Sequence, residues 1–163
     1  MPWYHSSYPN FSGQIRIINN MEKKIDNYNN SLMDIFLKKC EENNLKVTPQ
    51  RTAIYRELIK SKDHPSAEVI HKRLIKRFPN ISLDTVNRTL LTFAKIGITY
   101  IVENSGNPKR FDPNISNHHH FVCLNCKTII DFHSDFYDNM EIPNEIKEQA
   151  MIITRKVVVL EGY

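Results

Sequence analysis

Between Asp112 and His133 the chain carries three kinds of metal-binding side chain within one short stretch. His118, His119 and His120 are consecutive, Cys123 and Cys126 form a CxxC pair, and Asp112, Asp131 and His133 flank them. Two thiolates at CxxC spacing can bind one tetrahedral zinc from a tight turn. The same spacing serves thiol redox chemistry, although no thioredoxin-like βαβ pattern precedes it here. His118 and His120 are two residues apart, so on a strand they face the same side. Asp112 and Asp131 add carboxylates from neighbouring elements. A mixed nitrogen and oxygen set suits Fe(II), Mn(II) or Zn(II) rather than a purely structural zinc. His133 reads equally as a further ligand or as a surface histidine, and His5 and His71 read as ordinary.

These donors must be placed by the elements around them. Upstream, Leu32, Ile35, Phe36 and Cys40 share one face of a helix spanning Ser31 to Asn44, which makes Cys40 a core thiol. Thr48-Pro49 is a cap followed by a first-turn proline, opening a second helix through Ala53, Ile54, Leu58 and Ile59. Ser66 caps a third helix with Val69, Ile70, Leu74 and Phe78 inward, stopped by Pro79-Asn80. Ser82 caps a fourth, with Leu83, Val86, Leu90 and Phe93 or Ala94 inward and Gly97 just past its end. After Gly97 the period changes. Ile98, Tyr100 and Val102 alternate, Asn104 to Pro108 is a turn, and Lys109 to Asp112 returns as a second strand. Short helices followed by a two-stranded wing describe a winged helix-turn-helix, whose last helix before the wing enters the DNA major groove. That helix exposes Asp84, Thr85, Asn87, Arg88 and Thr92. Asparagine can pair with adenine and arginine with guanine. Arg51, Arg56, Lys72, Arg73, Lys76 and Arg77 are candidate phosphate contacts. The plain alternative is a solvated basic face.

The charge agrees with this division. Net charge is +4 over 163 residues, but residues 21–97 hold 15 Lys/Arg against 9 Asp/Glu, and residues 98–163 hold 6 against 9. A basic half followed by an acidic half suggests an anion-binding unit joined to something else. No apolar run approaches the ~20 residues of a membrane span, and no secretory signal pattern is evident at the start. Three cysteines, an odd number, argue against a disulfide framework and for a reducing compartment, hence a cytoplasmic protein. Residues 1–20 fit no period and read as a tail. Met21 opens a more typical sequence and is an alternative start. Near the other end, Pro143 to Ala150 reads as a short helix. Met151 to Leu160 reads as an apolar strand, either shared between subunits or packed internally.

Taken in order, Val47-Thr48-Pro49-Gln50-Arg51, His64-Pro65-Ser66-Ala67, Ile81 to Val86, Arg110-Phe111-Asp112 and the His/Cys cluster through Asp131-Phe132-His133 resemble the ferric uptake regulator (Fur) family over residues ~28–163. The resemblance implies an α+β chain: a tail over 1–27, a winged-helix DNA-binding domain over 28–112, and a small α/β metal-binding, dimerising domain over 113–163. It implies a homodimeric repressor that binds a double-stranded DNA operator when metal-loaded, with no catalytic residues.

Within the family the chain is most similar to the peroxide-sensing branch. There the regulatory metal is held by three His and two Asp, which fall on His64, Asp112, His118, His120 and Asp131. Iron-sensing relatives usually carry Glu at the Asp131 position. In that branch bound Fe(II) reacts with peroxide, and the oxidised histidines correspond to His64 and His118. Two departures stand out. Asn87 replaces a common Tyr and Asp84 a small residue, which implies a different operator. The family's second CxxC would begin about where Leu160-Glu161-Gly162-Tyr163 stand. The resemblance therefore leaves three readings for Cys123 and Cys126: zinc lost, zinc with other ligands, or a truncated sequence. An iron- or zinc-uptake repressor is the alternative within the family. A metal-dependent hydrolase is the remote one, since no HExxH, nucleophile elbow or phosphate loop accompanies the cluster.

Overall fold

The computed structural model describes residues 11–103, 108–149 and 151–163, with side chains from residue 27 onward. Helix α1 spans Phe11–Glu42, α2 Pro49–Ile59, α3 Ala67–Leu74 and α4 Leu83–Lys95. Strands β1 (Tyr100–Ile101) and β2 (Phe111–Asp112) follow, then β3 (His119–Cys123), β4 (Ile129–Phe132), short helices α5 (Asp135–Asp138) and α6 (Asn144–Lys147), and β5 (Val159–Gly162). No helix among the described residues is long and apolar enough to cross a membrane.

The helix boundaries follow their caps. Thr48, Ser66 and Ser82 are extended, and each side-chain oxygen accepts from the backbone N–H three residues on, at Arg51, Val69 and Thr85. Each such cap contributes about 1 kcal/mol. Pro49 sits in the first turn of α2, where its missing N–H costs nothing. Gly97 takes φ +75° just after α4, as a terminating glycine should.

α1, α2 and α4 meet through three rings. Phe36 stacks on Tyr55 with centroids 4.8 Å apart, and Phe93 meets both edge-on at 5.7 and 5.6 Å. Cys40 is fully buried beside them, as its place on the apolar stripe requires. Two separate cores result. The larger runs from Leu32 to Phe111; the smaller comprises Val102, Val122 and Ile129, with Val159 against it. Val102 leaves the wing yet belongs to the second core.

In the second sheet the strand order is β4-β3-β5. β3 pairs antiparallel with β4 and parallel with β5. β1 and β2 form a separate antiparallel pair, with Tyr100 opposite Asp112.

Several expectations need correction. The stretch read as a tail over 1–27 is helical from Phe11, so α1 starts well before Ser31; residues 1–10 lie outside the described residues. α3 ends at Leu74, short of Pro79, and continues as turns in which the Arg77 and Phe78 N–H groups both donate to the Leu74 carbonyl; Phe78 still packs on the core. Leu83 is exposed at the open first turn of α4, whereas Val86, Leu90 and Phe93 are buried. The wing strands pair over two residues each, and its tip, 104–107, lies outside the described residues. The last strand starts at Val159 rather than Met151, and Ile152 is 90% exposed. The apolar character of 151–153 is therefore surface, not core.

Candidate functional site

Sheet register builds half of the site. In the β3–β4 pair His120 stands opposite Asp131, and directly opposed residues on one face have neighbouring side chains. His118, one residue before β3, shares the face of His120 by the two-residue period. Asp112 closes β2 and is 1% exposed. Thr99 Oγ1 donates to the Asp112 carbonyl at 2.6 Å, and the Asn114 N–H donates to Asp112 Oδ1 at 2.8 Å, so both backbone and carboxylate are held. His64 comes from the α2–α3 loop in the left-handed region, φ +46°. That backbone costs a non-glycine residue about 1–3 kcal/mol and marks functional positions.

The structure brings these five side chains into one cluster of two triads that share His120. His118 Nε2 lies 2.8 Å from Asp112 Oδ2, and His120 Nε2 lies 3.3 Å from the same oxygen. Asp131 Oδ1 lies 2.9 Å from His64 Nε2 and 3.5 Å from His120 Nε2. The two ring nitrogens of His118 and His120 face each other at 3.0 Å. His118 Nδ1 donates to the Ser116 carbonyl at 2.8 Å, which fixes the tautomer that leaves Nε2 as the inward lone pair.

A divalent cation fits this arrangement. Asp112 Oδ2 and His64 Nε2 are buried at ion-pair distance from their neighbours but not in hydrogen-bond geometry with them. Buried polar atoms left unpaired are costly. The donors form two triads that share His120, His64/His120/Asp131 and Asp112/His118/His120, and imidazole with carboxylate is a donor set that suits a divalent cation. Asp131 is the most open of the five, at 37% exposed. It lines a cavity of about 420 Å³ together with His64, Asp112, Tyr28, Lys62 and Asn114. The site is thus reached from solvent on its Asp131 side.

Charge at the site is coupled. Burial alone would raise the Asp112 carboxyl, but the imidazoles of His118 and His120 outweigh it and hold the acid well below the usual carboxylate range. Asp112 in turn holds the His118 proton, raising that imidazole despite burial. In the metal-free protein the raised His118 contributes stability below its ordinary pKa of ~6.5, and loses it as pH rises through the raised value. A cation must displace that proton. Mn(II) affinity is therefore expected to fall about tenfold per pH unit, for each proton displaced, below the His118 pKa. Calorimetry over pH ~6–8 in buffers of different ionisation enthalpy counts the protons released.

The thiols stand apart from this cluster. Cys123 ends β3, half-buried, and Cys126 is exposed in the following turn, its N–H 3.5 Å from Cys123 Sγ. The Thr128 hydroxyl, 3.2 Å away, and then local backbone hydrogen bonds lower the Cys126 thiol to about 7. His133 is exposed, its ring centroid 6.3 Å from that of His118, and is not among the converging donors. His119 is fully buried on the opposite face of β3. Its Nδ1 accepts from the Val158 N–H at 3.2 Å, and its Nε2 lies 3.5 Å from Asp138 Oδ1. Sequence reasoning gave it no role; the two-residue period that paired its neighbours also implied that it faced away from them.

The candidate DNA face is only partly open. Arg56, Lys72, Lys76 and Arg77 are exposed. Arg51 Nη1 donates to the Lys46 carbonyl at 2.6 Å, and Arg73 bonds Asp63 and Ser61. On α4, Arg88 Nε donates to the Asp84 carboxylate at 2.9 Å, an exposed pair one turn apart. Thr85 Oγ1 is 2.9 Å from Ser82 Oγ. Asn87 is half-buried at a groove of about 750 Å³ that Glu68, Asp84 and Lys109 also line.

Known proteins share this chain's sequence and fold. It is 42% identical over 97 residues to the peroxide-responsive repressor PerR of Staphylococcus epidermidis, covering 60% of this chain and 65% of that protein. It is 40% identical over 110 residues to the protein of the same name from Staphylococcus aureus strain Mu50, covering 68% and 70%. The chain thus spans about two thirds of the length of these relatives. The structure of the ferric uptake regulator from Pseudomonas aeruginosa with manganese superposes with a TM-score of 0.63 at 26% identity, covering 77% of this chain and 94% of that one. The sequence profile of the ferric uptake regulator family matches residues 42–159, from the end of α1 into β5 and across all five converging donors. By that match, and by the helices and small sheets it spans, the chain belongs to the ferric uptake regulator family.

Proposed function

We propose that this protein is a metal-dependent, DNA-binding transcriptional repressor that senses hydrogen peroxide. One observation carries the reading: the helical half supplies His64, β2 supplies Asp112, and the β3–β4 sheet with the residue before it supplies His118, His120 and Asp131 to one cluster. The winged-helix unit is taken as 28–112 and the metal-binding unit as 113–163.

His64 can reach the other donors only when the two halves adopt one relative angle. A cation held by all five side chains would bind that arrangement better than others and so shift the population towards it. In a symmetric homodimer this sets the spacing of two α4 helices against the two halves of an operator. Asn87 and Arg88 are the base-reading candidates, with Asp84 and Thr85 beside them and Arg51 and Arg56 on phosphates. His64, Asp112, His118, His120 and Asp131 would hold the cation; as Fe(II) it would supply one electron to peroxide, giving Fe(III), hydroxide and a hydroxyl radical beside the imidazoles, whereas Mn(II) would hold the angle without that chemistry. Oxygen added to His64 or His118 by that radical would remove one arm of the grip and so release the DNA. Cys123 and Cys126 would supply two of the four ligands that a structural Zn(II) takes.

His64→Ala is expected to weaken Mn(II)-dependent operator binding by at least ~10-fold with the melting temperature of the metal-free protein retained. An unchanged operator affinity would overturn the five-donor reading. The sensing step is tested by operator binding with Fe(II) and with Mn(II), before and after peroxide, with mass mapping of oxygen addition on His64 and His118. Loss confined to Fe(II) supports peroxide sensing. Retention with both metals points instead to an iron- or zinc-uptake repressor of the same family.

A further inference from the structure

His64 adopts its left-handed backbone immediately before Pro65, a position that proline biases towards extended conformations. The turn therefore needs an outside support. Arg110, two residues before Asp112, supplies one. Its Nε donates to the His64 carbonyl and its Nη2 to the Asp63 carbonyl. Its Nη1 donates to the Lys127 carbonyl at 3.4 Å, in the turn that follows the CxxC pair, where Lys127 is also left-handed at φ +59°. The next residue, Phe111, donates its N–H to the Pro65 carbonyl at 3.1 Å. One planar guanidinium thus spans two strained turns, one beside His64 and one beside Cys126.

We propose that Arg110 is a positioning residue for His64. It does not touch the converging donor atoms. It holds the His64 backbone in the conformation that aims the imidazole at Asp112 and Asp131. Through Lys127 it also ties that aim to the thiol turn on the other half of the molecule. Three donors in a fixed fork are needed, so lysine, a single flexible ammonium, cannot replace it. The inference rests on the five-donor reading above.

The test compares Arg110→Ala, Arg110→Lys, His64→Ala and the double variant Arg110→Ala/His64→Ala. Each is measured by Mn(II) affinity, by the visible absorption of the Co(II)-loaded protein, and by melting temperature without metal. Arg110→Ala is expected to lose Mn(II) affinity by about 10–100-fold, the scale of an outer-shell partner. Its Co(II) spectrum is expected to match that of His64→Ala, and the double variant is expected to be no weaker than His64→Ala alone, since both remove the same arm. Arg110→Lys, which keeps the charge, is expected to share the altered Co(II) spectrum at a wild-type melting temperature. A wild-type isotherm and spectrum for Arg110→Ala beside a weakened His64→Ala overturns the proposal alone. So do losses that add in full in the double variant. A silent His64→Ala overturns the five-donor reading and this proposal with it.

Discussion

Asp112→Asn is expected to reduce Mn(II) affinity by more than ~100-fold, beyond the ~10–100-fold that loss of an outer-shell partner costs. Asp112 is 1% exposed and stands 2.8, 3.3 and 3.9 Å from the inner nitrogens of His118, His120 and His64. The amide keeps the shape, so packing is retained. It removes the negative charge and can place an N–H where an imidazole lone pair points. Three imidazoles then face a neutral group in a buried site, and the cation loses both a ligand and half of its carboxylate charge. The same change lets the raised His118 pKa fall back, because its first cause is the Asp112 carboxylate. Free Mn(II) followed by electron paramagnetic resonance reads the affinity, and circular dichroism checks the fold. An isotherm that matches the wild type would mean that Asp112 is not a ligand.

Phe36→Ala is expected to destabilise the winged-helix half by about 3–5 kcal/mol. The ring is fully buried and is the point where α1 meets both α2 and α4. Removing it strips Tyr55 of its stacking partner and leaves a void between three helices. Against a total stability of about 5–15 kcal/mol for a domain, that is a large fraction. Urea unfolding of the metal-free protein measures it. A loss below about 1 kcal/mol would mean that the helices repack around the gap.

The helical half was the more legible part of the sequence. Thr48, Ser66 and Ser82 cap helices by local chemistry, so their positions follow from residue type alone, and the buried positions Phe36, Ile54, Leu58, Ile70, Val86 and Leu90 follow from period. Boundaries governed by distant packing were less legible. Nothing local distinguishes Ile152, which is 90% exposed, from Val159, which pairs with His120 across to β3. Asp112, His118, His120 and Asp131 were visible as donors by type and spacing, and β3–β4 register explains why two of them meet. His64 was not derivable from spacing, because it lies far along the chain and enters through a turn whose conformation no pattern encodes. Arg110 was visible only as part of a resembling segment; its three carbonyl partners are a product of the tertiary fold.

The place of β5 also governs the order in which the molecule is made. β3 carries His120 between β4, which follows it through a tight turn, and β5, which comes later in the chain and whose parallel pairing requires a long crossover. Contacts of that span form slowly, after local hairpins and helices. Helices α1 to α4 pair within a short stretch and can close while the later residues are still being synthesised. Until β5 docks, Val158 does not anchor the His119 ring between His118 and His120. The face that carries His118 and His120 is therefore complete only once β5 has paired with β3.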